Sequence, residues 1–278
     1  MIKCKEYDKK TLDKLHKVEL EILDEFVRIC EKYKLNYFLT GGTMLGAIRH
    51  NGFIPWDDDI DIGMTRHDYD LFIEYAKIEL SKEYYLDCFE TNKEYYLPFA
   101  KIKMNNTIFD EEENHHLNNH KGIYIDIIPF ENAKKADSII QKIQAILVRN
   151  ITNAMFFKTK IRTLKESRNP LLVFILSIIP KYSLMKLQKI ISKLNNDDNS
   201  EYIVALAGTY NYKKETMKRN ILLPTKKINF ENKEYCGMNN PDAYLTNIFG
   251  NYMELPPVEK RINHMPLKIE FNINNKGE

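Results

Sequence analysis

The sequence is short of the features that mark secreted, membrane-spanning and nucleic-acid-binding proteins. Its four cysteines lie far apart without a Cys-x-x-Cys pair, so we expect neither a disulfide framework nor a cysteine zinc site. A net charge of only +2 over 278 residues does not predict a nucleic-acid partner. The longest apolar run, Leu171–Ile179, is too short to span a bilayer, and residues 1–6 lack the apolar segment of a signal peptide. We therefore expect a soluble, cytoplasmic protein.

The hydrophobic pattern that is present predicts an α+β fold. Apolar residues recur every three or four positions from Thr11 to Tyr33, which indicates a long amphipathic helix with Thr11 as its N-cap. Short apolar or alternating segments predict strands at 35–40, 60–62, 84–89, 99–104 and 123–128. Residues 133–207 have a helical pattern interrupted by Pro170 and Pro180. A hairpin over 227–235 and a helix over Pro241–Phe249, capped near Asn240, are expected to follow.

This pattern divides the chain into three expected parts. Residues 1–132 form an α+β core, residues 133–220 form an added helical region, and residues 221–278 return to complete the site. The helical region is basic: from 138 to 196 it has eleven Lys or Arg residues and one acid, Glu166. Basic residues directly precede the apolar run within 158–179, a pattern that predicts peripheral contact with an anionic membrane. A solvated basic helix followed by a core helix is the alternative.

The acidic cluster around Asp59 is the feature with the clearest chemistry. Asp59 and Asp61 alternate with isoleucines, so a strand would place both carboxylates on one face. Asp126 is the one acid of another apolar strand and is expected to join them. Three neighbouring carboxylates repel one another, and Mg²⁺ or Mn²⁺ would neutralise them. Two such ions can activate a hydroxyl and stabilise a leaving phosphate, whereas a solvated acidic turn or a structural calcium loop is the simpler alternative.

The segment before these acids is suited to binding phosphate. Gly41 and Gly42 allow backbone N–H groups to approach an anion closely, and Thr43 adds a hydroxyl group. The whole segment Leu39–Met64, LTGGTMLGAIRHNGFIPWDDDIDIGM, resembles the signature block of the LicD family of phosphocholine transferases. Three further segments are similar to that family: 97–103 with Thr107, 122–129 and 244–257.

The resemblance implies a fold, a reaction and a set of site residues. The fold is that of the nucleotidyltransferase (polymerase-β-type) superfamily, a mixed sheet with flanking helices. The reaction is metal-dependent transfer of phosphocholine from CDP-choline to a hydroxyl of a cell-surface glycan, with CMP as the leaving group. The glycan would be of the teichoic acid, lipopolysaccharide or capsule type, lipid-linked forms included. Metal ligation falls on Asp59, Asp61 and Asp126, and the phosphate cradle on Gly41, Gly42 and Thr43.

Further residues in the similar segments are candidates for binding the donor. Lys101 and Lys103 share a strand face and offer charge to a diphosphate. Trp56 offers a ring to a base or to choline. The other candidates are Arg49, Arg261 and His264. Each has a structural alternative, as an exposed, capping or core residue.

Two other functions stay open from the sequence. One is transfer of another alcohol phosphate, such as ribitol phosphate, or of a nucleotidyl group, on the same fold. The other is a non-enzymatic protein that binds metal and glycan. The loop between the Lys101 and Asp126 strands contains His115, His116 and His120 in acidic, Asn-rich surroundings. We interpret it as a cover over the site rather than as a zinc site.

Overall fold

A mixed β-sheet lies at the centre of the protein, and helices pack around it. The computed structural model describes residues 7–195, 197, 199–208, 210–261 and 263–271. Cys4 and the N-terminal segment examined for a signal peptide lie outside these ranges. The α-helices are α1 (Lys9–Tyr33), α2 (Gly41–His50), α3 (Arg66–Glu79), α4 (Ile139–Lys158), α5 (Pro170–Ser177), α6 (Lys181–Ser192), α7 (Tyr212–Glu215), α8 (Arg219–Leu222) and α9 (Pro241–Phe249). The strands are β1 (Phe38–Leu39), β2 (Asp61–Thr65), β3 (Tyr84–Asp87), β4 (Ala100–Met104), β5 (Ile108–Asp110), β6 (Tyr124–Ala133), β7 (Tyr202–Val204), β8 (Thr216–Lys218), β9 (Lys226–Phe230), β10 (Lys233–Gly237) and β11 (Lys268–Glu270).

The main sheet has the order β1-β2-β6-β4-β3 and mixes both strand directions. β2 and β6 are parallel, whereas β1–β2, β6–β4 and β4–β3 are antiparallel. The last residues of β6 extend past β2 and β4 and pair with β7. Strand β7 in turn pairs with β8. The expected α+β class with a mixed sheet is therefore confirmed.

Helix α1 closes the sheet on one side through its apolar stripe. Leu15, Ile22, Phe26 and Ile29 are fully buried, which confirms the predicted spacing. The prediction that Thr11 is the N-cap was wrong. The helix begins at Lys9, because the Asp8 carboxylate accepts a hydrogen bond from the N–H of Thr11 and so caps the helix three residues earlier.

The segment after β6 is helical, as expected, but not to its predicted end. Pro170 opens α5 and Pro180 is the N-cap of α6, so both prolines interrupt the helical pattern as predicted. Residues 202–204, predicted as helix, form β7 because the exposed edge of the extended β6 gives Ile203 and its neighbours a strand to pair with.

The helices α4, α5 and α6 have their own apolar cluster, separate from the core beneath the sheet. No helix in the described ranges combines the length and the hydrophobicity needed to cross a bilayer. The three-part division of the chain stays a prediction. The hairpin β9–β10 and helix α9, capped by Asn240, form as predicted.

Candidate active site

A row of charged residues crosses three neighbouring strands on one face of the sheet. Asp61 on β2 pairs directly with Asp126 on β6, and Asp126 pairs directly with Lys101 on β4. Directly paired residues project from the same face, so the register alone brings the three side chains together. The Lys101 ammonium lies 2.7 Å from Asp126 Oδ1 and 3.3 Å from the centre of the Tyr124 ring.

Asp59 lies on the segment that leads into β2 rather than within the strand, since β2 begins at Asp61. The predicted alternation is nevertheless present: Ile60 and Ile62 are fully buried, whereas Asp59 and Asp61 are half-buried. The carbonyl of Ile60 accepts a hydrogen bond of 2.9 Å from the N–H of Asp126. That bond continues the β2–β6 register back toward Asp59.

The acids of the cluster destabilise one another's charged forms. Burial raises the pKa of Asp59 to about 6, while the charge of His264 opposes this and those of Asp58 and Asp126 add to it. Burial, followed by Asp59 and Asp126, raises the pKa of Asp61 well above its usual range. Burial also raises the pKa of Asp126, against the opposing effect of Lys101. Buried carboxylates of this kind are the oxygen donors that a divalent cation prefers, so the cluster fits a metal chemically.

The metal-ligating atoms that converge most closely are not the predicted three. Within the described ranges, a single group of three side chains has one ligand atom each within 4.8 Å of the others, and it consists of Asp58, Asp59 and His264. Asp59, Asp61 and Asp126 do not form such a group among the described residues. Asp58 is also tied to the N-terminal segment, because it accepts a hydrogen bond of 2.8 Å from the Tyr7 hydroxyl.

The predicted phosphate cradle lies against the acids. Gly41 and Gly42 open α2, and Gly41 has a φ of 55°. A Cβ atom at Gly41 would lie 2.6 Å from a carboxylate oxygen of Asp61, so only glycine permits this approach. The Gly41 N–H donates to the Tyr244 hydroxyl at 3.0 Å, and the Thr43 hydroxyl accepts from the Asp61 N–H at 2.8 Å. These residues therefore also fix α2 to β2 and α9.

The two predicted lysines have different partners. Lys101 contacts Asp126, whereas Lys103 lies 2.7 Å from Asp87 on β3 and donates to the His120 carbonyl at 2.7 Å. Burial lowers the pKa of Lys103, although Asp87 opposes that effect. Ala100 and Ile102, which alternate with the lysines along β4, are fully buried in the core. Only Lys101 is thus directed at the acidic cluster.

The remaining predicted residues form a second group beside α2. The Arg261 guanidinium lies 4.2 Å from the centre of the Trp56 ring, which is a cation–π contact. Arg49 donates to the Tyr252 carbonyl at 2.7 Å, and burial together with the charge of Arg261 lowers its pKa. Two cations held near each other suit a bound anion such as a diphosphate.

His264 joins the C-terminal segment to the acidic cluster through contacts with Asp58 and Asp59. Its backbone N–H donates to both Asp58 carboxylate oxygens, at 2.9 and 2.8 Å, and its Nδ1 lies 3.7 Å from an oxygen of Asp59. The hydrogen bond to Asp58 raises the pKa of His264, against the effect of burial.

Two acids of the site were not singled out by sequence reasoning. Asp58 is not among the predicted metal ligands, yet it is only 3% exposed and anchors the C-terminal segment. Glu19 on α1 is 1% exposed; burial, with Asp59 and Asp58 next in order, raises its pKa well above its usual range. The signal for Glu19 was present, because it occupies a core position of the apolar stripe between Leu15 and Ile22.

The fold and the site together define an α+β protein with a metal-suited acidic cluster flanked by cations. Comparison with known proteins supports a closer assignment. A family model described as LicD/FKTN/FKRP, nucleotidyltransferase domain, matches residues 34–165. The lipopolysaccharide cholinephosphotransferase LicD of Haemophilus influenzae is 32% identical over 265 residues, which cover 92% of this chain and 96% of that protein.

Shorter matches are found in other proteins. Human ribitol 5-phosphate transferase FKRP is 45% identical over 42 residues, 15% of this chain and 8% of that protein. An uncharacterized protein of Rickettsia prowazekii is 40% identical over 48 residues, 17% of this chain and 18% of that protein. From the nearly full-length match, the chain belongs to the LicD family and is a phosphotransferase. The non-enzymatic alternative is thereby set aside.

Proposed function

We propose that this protein transfers phosphocholine from CDP-choline to a hydroxyl group of a cell-surface glycan and releases CMP. The observation that carries this proposal is the row Asp61–Asp126–Lys101 across three adjacent strands, in a chain similar over nearly its whole length to a lipopolysaccharide cholinephosphotransferase. We assign the sheet and its acids to the nucleotidyltransferase superfamily, as the description of the matching family model suggests.

Asp59, Asp61 and Asp126 are the residues we assign to Mg²⁺ or Mn²⁺, two ions in all, with Asp58 supporting Asp59 from the side. When bound, such ions polarise phosphate oxygens and lower the pKa of a nearby hydroxyl group. The raised pKa values of the three acids support this assignment, because a cation would relieve the repulsion that burial imposes.

The protein's own groups supply the positioning and charge. Gly41, Gly42 and Thr43 hold the donor phosphates beside the acids, and Arg49 and Arg261 neutralise the CMP portion. The acceptor oxygen forms a bond to the phosphorus that bears choline, and the bond from that phosphorus to the CMP oxygen breaks. A carboxylate of the cluster takes up the hydroxyl proton. Lys101 offsets the negative charge that grows on the transferred group.

The site as proposed needs the C-terminal part of the chain, 221–278. Tyr244 holds the Gly41 N–H and His264 holds Asp58, and both contacts join residues about 200 positions apart in sequence. Trp56 is already stacked by Arg261, so we assign that pair to the nucleotide rather than to choline.

A second candidate, transfer of ribitol phosphate, has one specific support in the short match to ribitol 5-phosphate transferase FKRP. Incubating the protein and Mg²⁺ with CDP-choline or CDP-ribitol, and measuring CMP released with and without a glycan acceptor, separates the two. We expect faster release from CDP-choline. Faster release from CDP-ribitol would contradict the choline assignment and leave the metal chemistry in place.

We also propose that the enzyme works in the cytoplasm, at the inner face of the membrane. Helix α5 supports this: Leu171, Phe174, Ile175 and Ile178 recur at helical spacing, and each is about half exposed or more. Exposed Arg162, Lys165 and Arg168 directly precede the helix. An apolar helix face beside clustered cations complements an anionic bilayer surface.

A further inference from the structure

A cavity of about 450 Å³ lies between the acidic site and the helical region. Its walls come from the loop after β3, the loop between β5 and β6, and the C-terminal end of α4 with the residues that follow it. Its lining combines the polar side chains of Tyr95, Tyr96, Asn92, Asn118, Asn119 and His116 with three lysines and one glutamate. This volume lies within the range of ligand-binding cavities in proteins, about 300–1,000 Å³.

Two residues that line this cavity each have a polar atom that is buried without a hydrogen-bond partner. These atoms are the Tyr95 hydroxyl and Asn119 Oδ1, and the Tyr95 side chain belongs to a residue that is only 3% exposed. Buried polar groups in folded proteins are almost always bonded, because leaving one unpaired costs free energy. A ligand that offers hydroxyl groups would supply the missing partners.

Residues of this cavity wall also line a second cavity beside Lys101. This second, smaller cavity is lined by Lys101, Lys103 and Tyr124, and it shares Tyr95, Tyr96 and Asn119 with the larger one. The shared residues therefore lie between the large cavity and the lysine that contacts Asp126. The proposed donor site, with α2 and the Trp56–Arg261 pair, lies across the acids at the β1–β2 edge of the sheet.

We propose that the large cavity binds the glycan acceptor and directs one sugar hydroxyl past Tyr95 to Asp126. The amide groups of Asn92, Asn118 and Asn119 can donate hydrogen bonds to sugar hydroxyls and accept hydrogen bonds from them. This inference rests on the proposed function, and it assigns the loop 111–121 and the end of α4 to acceptor choice rather than to donor chemistry.

The test compares the Michaelis constants of the two substrates in variants of the cavity. The acceptor probe is lipooligosaccharide without phosphocholine, used both intact and after removal of its acyl chains. Tyr95→Phe removes one hydroxyl, and we expect the KM for the deacylated oligosaccharide to rise about tenfold while the KM for CDP-choline stays unchanged. Because the lost hydroxyl is unpaired, the melting temperature of the free enzyme should not fall.

A second variant and a matched control make the test independent of folding effects. Asn118→Trp, at an exposed position on the cavity wall, should block the oligosaccharide more strongly than Tyr95→Phe does. Tyr84→Phe removes a tyrosine hydroxyl that donates to the backbone carbonyl of Glu21 on α1 and does not line the cavity, and it should change neither KM.

The outcomes separate this inference from the proposed function. Wild-type acceptor KM in both cavity variants, or transfer by the wild type to the intact lipid form alone, would overturn the assignment of the cavity to glycan. If the wild type released no CMP from CDP-choline with or without oligosaccharide, the proposed function would fail and this inference with it.

Discussion

The acid-bearing face of the sheet and the helical region differ in the sign and the burial of their charged residues. Asp59, Asp61 and Asp126 lie among other charged groups at the sheet, and burial raises the pKa of each. In the helical region the charged residues are mostly basic and exposed, and α5 buries only Val173 while its other large apolar side chains reach the surface.

This difference in burial suits the two regions to different ligands: a small, defined ligand at the acids and a broad surface at the helical region. Buried like charges are costly, so either protonation or a bound cation stabilises a fold that retains them, and strand register fixes the positions of Asp61 and Asp126. Exposed cations beside an apolar helix face cost little, and they suit a broad surface rather than one defined ligand. The first region is therefore expected to respond sharply to single substitutions and the second gradually.

Neutralising the acids should have the largest effect. We expect Asp59→Asn, Asp61→Asn and Asp126→Asn each to lower the CMP release rate by about 10³-fold or more, since each removes both a ligand and a charge. The melting temperatures of metal-free Asp59→Asn and Asp61→Asn should rise, because repulsion is relieved, whereas Asp126→Asn also loses the ion pair with Lys101 and should gain less or fall. Asp13→Asn on the exposed side of α1 is the control. Near-normal activity in any two of the three would contradict the metal assignment, as would full activity of the wild type in excess EDTA.

The two lysines of β4 should differ from each other. We expect Lys101→Met to lower kcat by about 10²-fold, because it removes the charge beside Asp126 that offsets the transferred phosphate. Lys103→Met should instead lower the free energy of unfolding by about 3 kcal/mol, because it leaves the buried Asp87 carboxylate without its cationic partner. Measuring kcat and the free energy of unfolding in urea for both variants shows which lysine acts in catalysis and which in stability. A larger loss of kcat in Lys103→Met would show that the lysine roles are reversed.

Substitutions on α5 should affect membrane binding and leave chemistry in solution intact. We expect Phe174→Glu combined with Ile178→Glu to weaken co-sedimentation with anionic vesicles at least about tenfold. Ile78→Glu on α3 is the matched control, since Ile78 is 83% exposed but lies outside the helical region. Binding of the wild type should decline as salt rises and the Debye length shortens to about 8 Å near 0.15 M. Equal binding to neutral vesicles would contradict the electrostatic part of the proposal.

The smallest expected effect concerns a buried acid outside the site. Burial raises the pKa of Glu215 to about 7, so its protonated form is favoured in the folded state. The folded protein therefore binds this proton more tightly than the unfolded chain does. The free energy of unfolding falls as the pH rises from about 4.5, the usual pKa of a glutamate, through about 7. We expect Glu215→Gln to reduce the loss of melting temperature between pH 5 and 7.5 by a few degrees.

The response of the melting temperature to Mg²⁺ distinguishes Glu215 from the acids of the site. Adding Mg²⁺ at pH 7.5 should stabilise the wild type and Glu215→Gln equally, and Asp61→Asn much less. An unchanged pH slope in Glu215→Gln would show that this carboxyl does not titrate as its burial indicates.

Local pattern was sufficient for much of the fold and of the candidate site. The apolar stripe of α1, the hairpin β9–β10, and α9 with its Asn240 cap each depend on residues within one turn or one strand pair of one another. Asp126 could be chosen because a single acid in an apolar strand is conspicuous without any knowledge of the partner strand. The resemblance of Leu39–Met64 to a known family likewise needs only adjacent residues.

What the sequence by itself determined is thus the kind of site and the elements that carry it. Only the tertiary structure decided that Asp58 is buried under His264, 206 positions away, that Lys101 rather than Lys103 meets Asp126, and that residues 202–204 pair with β6 instead of continuing a helix. These outcomes depend on which distant segments meet, and the burial of apolar surface by the whole chain decides that. Because the hydrophobic effect is not directional, the sequence pattern alone does not select the polar partners, and the final packing does.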